Sequence, residues 1–215
     1  MKGPALILFD LGNVIVDVDH RAVAAKFAQS SVKVEFHDPA VLLSTITEKD
    51  APLLRAFDTG HITPRAFYDQ MRLSYGLELS FEEFVQIWNS GFSENHEVSR
   101  LITRLIPHVR LFLLSNTNPL HFEYLQGTCP VIQKMEKVIL SYQLGCMKPA
   151  AEIYKHALDT AGLPPELVWY VDDVPEFVDA GAQLGIHGIQ FLSASQLSGD
   201  LDAVLDGVPG SKFHG

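Results

Sequence analysis

The sequence contains only two cysteines, Cys129 and Cys146, among its 215 residues. Two cysteines do not make the disulfide framework of a small secreted domain, so we expect the protein to work in a reducing cytoplasm. Long hydrophobic runs are also missing. The apolar stretch Ala5–Phe9 stops at Asp10 and is too short for a signal-peptide core or a membrane span. We therefore expect a soluble cytoplasmic protein that does not associate with membranes.

Basic residues are in the minority, since 16 Lys and Arg face 26 Asp and Glu and give a formal net charge of −10. A surface of this charge repels the phosphate backbone, which argues against nucleic acid as a partner. A phosphorylated ligand would therefore need a local positive site, such as a metal ion or a well-placed lysine.

Short apolar runs alternate with helical patterns over much of the chain. This alternation predicts an α/β fold, a doubly wound parallel sheet with helices on both faces. The predicted strands are Ala5–Phe9, Val109–Leu114, Lys137–Ser141, Leu167–Val171 and His187–Leu192, and the predicted helices between them are Val98–Ile106, Ala150–Leu163 and Phe177–Leu184.

The region from 17 to 95 differs because it shows helical patterns and no clear apolar strand. Thr63 and the pair Ser80 and Glu83 are typical of helix N-termini. We predict a core domain of residues 1–16 and 96–215 and an inserted helical cap domain of residues 17–95, with a loose tail at Gly207–Gly215. The predicted cap helices are Ala22–Ala28, Ala51–Phe57, Pro64–Tyr75 and Phe81–Asn89.

Polar clusters follow four of the predicted strands, and a parallel sheet would bring these strand ends to one edge. Asp10 follows the first strand, where a carboxylate can attack a phosphorus centre and form an acyl phosphate. Gly12 lets the backbone turn sharply and approach a ligand closely. Taken alone, Asp10 is better explained as a loop residue that caps a turn.

Three more polar clusters follow other predicted strands. Ser115 and Asn116 can hold phosphate oxygens, and Lys148 can neutralise charge on a phosphoryl group. Asp172 and Asp173 repel each other, and a hard cation such as Mg²⁺ would relieve that cost. Each cluster alone has a structural explanation as a helix cap or a solvated side chain. Together they form a complete set for phosphoryl transfer.

In these segments the chain resembles the haloacid dehalogenase (HAD) superfamily, whose core is Rossmann-like. Phe9–Val14 resembles the first motif of that superfamily, Leu114–Asn118 the second, Lys148–Pro149 the third and Val171–Asp173 the fourth. The first two motifs are also similar to a bacterial subgroup that contains a glucose-1-phosphate phosphatase.

The resemblance implies a Mg²⁺-dependent phosphatase for a small phosphorylated metabolite, with sugar phosphates as the favoured class. It implies that Asp10 is the nucleophile and that Ser115 and Asn116 bind the phosphoryl oxygens. Lys148 would stabilise Asp10 and the transition state. The metal ligands would be the Asp10 side chain, the Gly12 carbonyl and Asp173, with Asp172 ligating directly or through water.

The chain departs from the resemblance at Gly12, where most phosphatases of the superfamily carry a second aspartate as general acid and base. Loss of such a group typically costs ~10²–10⁴-fold in rate. Either another group supplies the proton, or the leaving group departs easily without help. The candidates near this motif or in the presumed cap are Asp17, Asp19, His20 and Glu48.

Two alternatives remain open from sequence. The first is a metal-independent haloacid dehalogenase, against which the Asp172–Asp173 pair argues. The second is a weakly active module that binds a phosphorylated ligand, which only Gly12 supports. Substrate selection would fall to the cap, where the candidate contacts are His20, Arg21, Glu48, Arg55 and His61.

Overall fold

A computed structural model describes residues 3–49 and 51–205 of the chain. Within these residues, five parallel strands form one sheet. They are β1 (Leu6–Phe9), β4 (Arg110–Ser115), β5 (Lys137–Leu140), β6 (Val168–Asp172) and β7 (His187–Gln190). Their spatial order is β5-β4-β1-β6-β7. The doubly wound α/β fold is confirmed.

Hydrophobic layers cover both faces of this sheet. Ile7 and Phe9 of β1 belong to one buried cluster, whereas Leu6 and Leu8 belong to another. Successive side chains of a strand point to opposite faces, so a central strand covered on both sides must be apolar throughout. The surrounding helices of the described core are α6 (His96–Leu105), α7 (Pro119–Thr128), α8 (Ser141–Leu144), α9 (Ala151–Ala161), α10 (Pro175–Ala182) and α11 (Ala194–Leu205).

The register of the sheet aligns the strand ends that carry the polar clusters. Phe9 at the end of β1 lies beside Leu113 of β4 and Val171 of β6. The residues that follow these positions therefore meet at one edge of the sheet. That edge is where open parallel sheets bind their ligands.

A two-stranded antiparallel ribbon leads away from this edge. It pairs β2 (Val16–Val18) with β3 (Phe92–Glu94), and the chain between them forms helices. We call residues 19–91 the helical insertion. Its helices are α1 (His20–Gln29), α2 (Pro39–Ser44), α3 (Ala51–Asp58), α4 (Pro64–Tyr75) and α5 (Phe81–Trp88), with a π-helical turn at Thr45–Lys49.

The helical insertion has a hydrophobic cluster of its own. Phe57 and Phe67 stack at 4.2 Å between ring centroids, and Phe84 packs edge-on against Phe67 at 6.0 Å. Thr63 caps α4, and Ser80 and Glu83 form the expected capping box at α5. The helical character of this region is thus confirmed, while its division from the core as a separate domain stays a prediction.

The sequence did not predict the ribbon. Each of its strands has only three residues, too few to show an alternating pattern. Helices α2, α7, α8 and α11 were also not predicted. The tail expected at Gly207–Gly215 lies outside the described residues.

No helix among the described residues combines the length and apolar character needed to cross a bilayer. Cys129 and Cys146 are both free thiols.

Candidate active site

Asp10 follows β1 directly and lies almost buried at the edge of the sheet. Its backbone N–H donates to the carbonyl of Val171, which extends the β1–β6 pairing by one residue and fixes its position. Burial raises the pKa of the Asp10 carboxyl to about 6, although the Lys148 ammonium opposes this rise. Asp172 adds to the rise through like-charge repulsion.

Lys148 lies between two carboxylates. Its Nζ is 2.7 Å from Asp10 Oδ1 and 2.6 Å from Asp172 Oδ2, and its side chain is only 1% exposed. An ammonium buried this deeply needs anionic partners, because its removal from water costs several kcal/mol. Lys148 is therefore a fixed positive charge beside Asp10 and not a solvated surface residue.

Asp172 is the last residue of β6 and is fully buried. Its Oδ2 accepts hydrogen bonds from Lys148 and from the Tyr170 hydroxyl, and its Oδ1 accepts one from the Val174 backbone N–H at 2.8 Å. Both oxygens are thus engaged with protein donors. This arrangement holds the Lys148 side chain in place.

Asn116 fixes the backbone of Lys148. Its Nδ2 donates to the Lys148 carbonyl at 3.0 Å, and its Oδ1 accepts from the Lys148 N–H at 2.8 Å. This reciprocal pair ties the loop after β4 to the loop before α9. Ser115, at the end of β4, is buried beside it and opens onto the same cavity.

Asp173 lies just beyond β6 and is only partly buried. Its Oδ2 accepts from Asn13 Nδ2 at 3.3 Å, and burial raises its pKa. Oxygens of Asp10, Asp172 and Asp173 lie within 4.8 Å of one another. Three carboxylates face one ammonium, so the cluster carries excess negative charge. A hard divalent cation with oxygen ligands fits this donor set.

A cavity of about 330 Å³ opens above these groups, between the sheet edge and the helical insertion. Asp10, Gly12, Ser115, Lys148 and Asp173 line its floor. Lys148 is the one Lys or Arg among the described lining residues. An anionic substrate would therefore meet a net negative floor unless a cation were bound there. The insertion contributes mostly apolar walls, which include Val23, Phe27, Leu43, Leu54 and Trp88.

Among the cap residues proposed from sequence, only His20 lines this cavity. Arg55 and His61 line a separate groove beside Gly145 and Cys146. Neither Arg21 nor Glu48 is among the lining residues. Of the four proton donors proposed from sequence, His20 lines the cavity, whereas Asp17, Asp19 and Glu48 do not.

Sequence reasoning missed two titratable residues of the cavity wall, Asp58 and His121. His121 stacks on Trp88 at 5.0 Å, and burial lowers its pKa to about 3. Asp58 ends α3, where its sequence context is that of an ordinary solvated helix terminus. Neither residue could be found from the sequence, because both reach the cavity wall only through the packing of the insertion on the core.

The profile of the haloacid dehalogenase-like hydrolase family matches residues 4–185. The chain belongs to that family. The match spans the four clusters at the sheet edge and the helical insertion, so the resemblance drawn from the motifs is confirmed.

Matches to proteins of Bacteroides thetaiotaomicron cover more than nine-tenths of this chain. A D-ribitol-5-phosphate phosphatase is 29% identical over 93% of this chain and 98% of its own length. A variant of a HAD family enzyme, crystallised with magnesium and inorganic phosphate, is 26% identical and superposes with a TM-score of 0.78, covering 91% of this chain and 99% of that chain.

An L-2-haloacid dehalogenase from Xanthobacter autotrophicus shares the fold. It superposes with a TM-score of 0.64 at 15% identity and covers 93% of this chain and 83% of that one. At this identity the likeness concerns architecture alone.

Proposed function

We propose that this protein is a Mg²⁺-dependent phosphomonoesterase that hydrolyses a small phosphorylated metabolite, with sugar and polyol phosphates as the leading class. The observation that carries the proposal is the cluster of Asp10, Asp172 and Asp173 around the buried Lys148 ammonium. Such a site needs a cation before it can accept a phosphate dianion. The phosphatase among the relatives supports the same conclusion.

Asp10 is the proposed nucleophile. In the first step its carboxylate oxygen would attack phosphorus, and the bond from phosphorus to the alcohol oxygen would break. Lys148 lies 2.7 Å from Asp10 Oδ1, where it keeps the carboxylate ionised and stabilises charge in the transition state. Water would then hydrolyse the aspartyl phosphate and release inorganic phosphate.

Asp10, Asp173 and the Gly12 carbonyl are the proposed Mg²⁺ ligands. The bound ion would supply positive charge opposite the phosphoryl oxygens. Asp172 was expected to ligate directly or through water. Since its oxygens accept from Lys148, Tyr170 and Val174, we assign it chiefly to holding Lys148.

Ser115 and the Asn116 backbone N–H are the proposed phosphoryl ligands, since both residues line the floor beside Asp10. The helical insertion would act as the cap that closes over the leaving group. A cavity of about 330 Å³ suits a small alcohol more than a polymer. Its few polar groups from the insertion, His20, Thr47 and Asp58, are the candidates for contacting hydroxyl groups.

The test is a screen of phosphorylated metabolites with Mg²⁺ and with a chelator, alongside 2-haloacids. We expect phosphate release from sugar or polyol phosphates that stops with chelator, and no turnover by Asp10→Asn. The matched control is Asp69→Asn, because Asp69 lies on α4, does not line the cavity and forms an exposed ion pair with Arg65. Metal-independent release of halide without phosphatase activity would refute the proposal and favour the dehalogenase.

A further inference from the structure

If the protein is a phosphatase as proposed, its leaving group needs a proton that residue 12 cannot give. A Cβ built on Gly12 would meet only Val18 Cγ2, at 3.8 Å, so the space beside it is open. Position 12 therefore lacks the aspartate that most phosphatases of the family carry, and no bulky neighbouring side chain fills the space. A group from another part of the cavity wall has room to act there.

Few described lining residues can exchange a proton. They are Asp10, His20, Asp58, His121, Lys148 and Asp173. Asp10 is the nucleophile, Lys148 is held in its two ion pairs and Asp173 belongs to the metal cluster. The His121 ring is stacked on Trp88, its Nδ1 is hydrogen-bonded to Asn89 Oδ1 at 2.9 Å, and burial lowers its pKa to about 3. His20 is the first residue of α1, and within the described residues no hydrogen bond holds its ring over the floor. Asp58 remains.

Asp58 is held over the phosphate-binding loop. Its Oδ1 accepts from Asn118 Nδ2 at 3.0 Å, while Asn118 Oδ1 accepts from the His121 N–H and so fixes the orientation of the amide. Within the described part of the chain, this hydrogen bond from Asn118 is the one that the Asp58 carboxyl group accepts, and it engages Oδ1. Oδ1 is thus anchored, and within the described residues no hydrogen bond engages Oδ2 of this residue of the cavity wall.

The backbone around Asp58 is also pinned to the core. The Ser141 hydroxyl lies 2.5 Å from the Asp58 carbonyl oxygen. Two residues later, Gly60 has a φ of 71°, and a Cβ there would come within 2.1 Å of the Tyr142 carbonyl oxygen. Only glycine permits so close an approach with that backbone. The end of α3 therefore has a defined position relative to the site.

The environment of Asp58 makes its carboxyl group a weaker acid than an exposed aspartate. Burial raises its pKa to about 6, and the hydrogen bond from Asn118 only partly offsets this. A carboxyl group in this range is suited to donate a proton near neutral pH and to take one back.

We propose that Asp58 is the general acid and base of this enzyme, supplied by the helical insertion in place of an aspartate at position 12. As Asp10 attacks phosphorus and the P–O bond to the alcohol breaks, the electron pair stays on the leaving oxygen. That oxygen takes the proton of the Asp58 carboxyl group. In the second step the Asp58 carboxylate takes a proton from the water that attacks phosphorus, and the bond from phosphorus to Asp10 breaks.

The experiment compares phenyl phosphate with 4-nitrophenyl phosphate, two esters of similar shape without extra hydroxyl groups. Phenol is a weak acid, with a pKa of about 10 like that of tyrosine, so its departure needs a proton. Nitrophenolate leaves without one. With Asp58→Asn we expect kcat/KM for phenyl phosphate to fall ~10²-fold or more, and that for 4-nitrophenyl phosphate to change by less than about 5-fold.

The matched control is Asp69→Asn, for which both esters should keep their wild-type rates. Activity on 4-nitrophenyl phosphate also reports that Asp58→Asn is folded. Equal losses on both esters, or no loss on either, would overturn the role of Asp58 without touching the proposed phosphatase function. If the wild type hydrolyses neither these esters nor the metabolites of the screen, it is the phosphatase proposal that fails.

Discussion

Replacement of Lys148 by methionine gives the sharpest test of the electrostatics at the sheet edge. Methionine has similar length and fills the same space without charge. At charge separations of about 4 Å and an effective dielectric constant of about 20, each ion pair contributes about 4 kcal/mol. Lys148 makes two such contacts, at 2.7 Å to Asp10 and 2.6 Å to Asp172. The cost of burying the ammonium offsets several kcal/mol of this total.

We therefore expect Lys148→Met to lower the free energy of unfolding by about 3–5 kcal/mol at pH 8, because two buried carboxylates lose their cation. The loss should shrink as the pH falls. Without the ammonium the pKa of Asp10, already raised to about 6, rises further, so the folded variant binds protons more readily than the unfolded chain. Its stability relative to wild type therefore improves towards pH 5.

The assay is urea unfolding at pH 8 and pH 5 with a chelator present, so that metal binding does not obscure the comparison. Lys155→Met on the exposed face of α9 is the control and should change stability by less than about 0.5 kcal/mol. The double variant Lys148→Met with Asp172→Asn should recover much of the loss. A single variant as stable as wild type at pH 8, or equally destabilised at both pH values, would refute this reasoning.

The contacts around Asp58 and Gly12 lead to three more expected results. Adding Gly12→Asp to the Asp58→Asn variant should raise its rate of phenyl phosphate hydrolysis at least ~10-fold, since a Cβ at position 12 has room. A double variant with the same steady-state rate as Asp58→Asn would contradict this expectation. Asp58→Asn should raise the free energy of unfolding by about 1–2 kcal/mol at pH 8 and by almost nothing near pH 4. Folding raises the pKa of Asp58 from 3.8 to about 6, so its ionisation destabilises the folded state above that range. Denaturant midpoints at the two pH values test the sign. Ser141→Ala should lower the free energy of unfolding by about 1–3 kcal/mol, because the Thr117 N–H and the Asp58 carbonyl both lose a hydrogen-bond partner. Thermal unfolding measures this loss against Ser44→Ala, which removes a local hydroxyl hydrogen bond to Val41 at the end of α2.

The sheet and the floor of the cavity could be predicted from the sequence for one physical reason. Strands buried on both faces are apolar runs, and the polar residue that ends each run marks the edge where ligands bind. Asp10, Ser115 and Asp172 could be placed in this way without knowledge of any contact. Adjacent residues looked equivalent, however. Asp172 and Asp173 resembled one pair in the sequence, and only the structure shows that the first is turned inward to Lys148 and the second towards the cavity.

The same reasoning could not predict which residues line the walls of the cavity. The position of Asp58 depends on how α3 docks on the core, through Ser141 and Tyr142, more than 80 residues later in the chain. Helical periodicity reports which face of a helix is buried, but not which neighbour covers it. Four of the five substrate contacts expected from the sequence of the insertion therefore lie elsewhere, and Asp58, which has the strongest case in the structure, was not among them.

The ribbon of β2 and β3 has a wider consequence. Because Asp17 pairs with Ser93, the polypeptide departs for the insertion and returns from it at neighbouring points. The more than seventy residues of the insertion thus form one long loop between two paired strands, and the entropy cost of closing such a loop grows only slowly with its length. The insertion can therefore change in length or sequence while the edge of the sheet stays as it is, so that the walls of the cavity can vary without a change in the core fold.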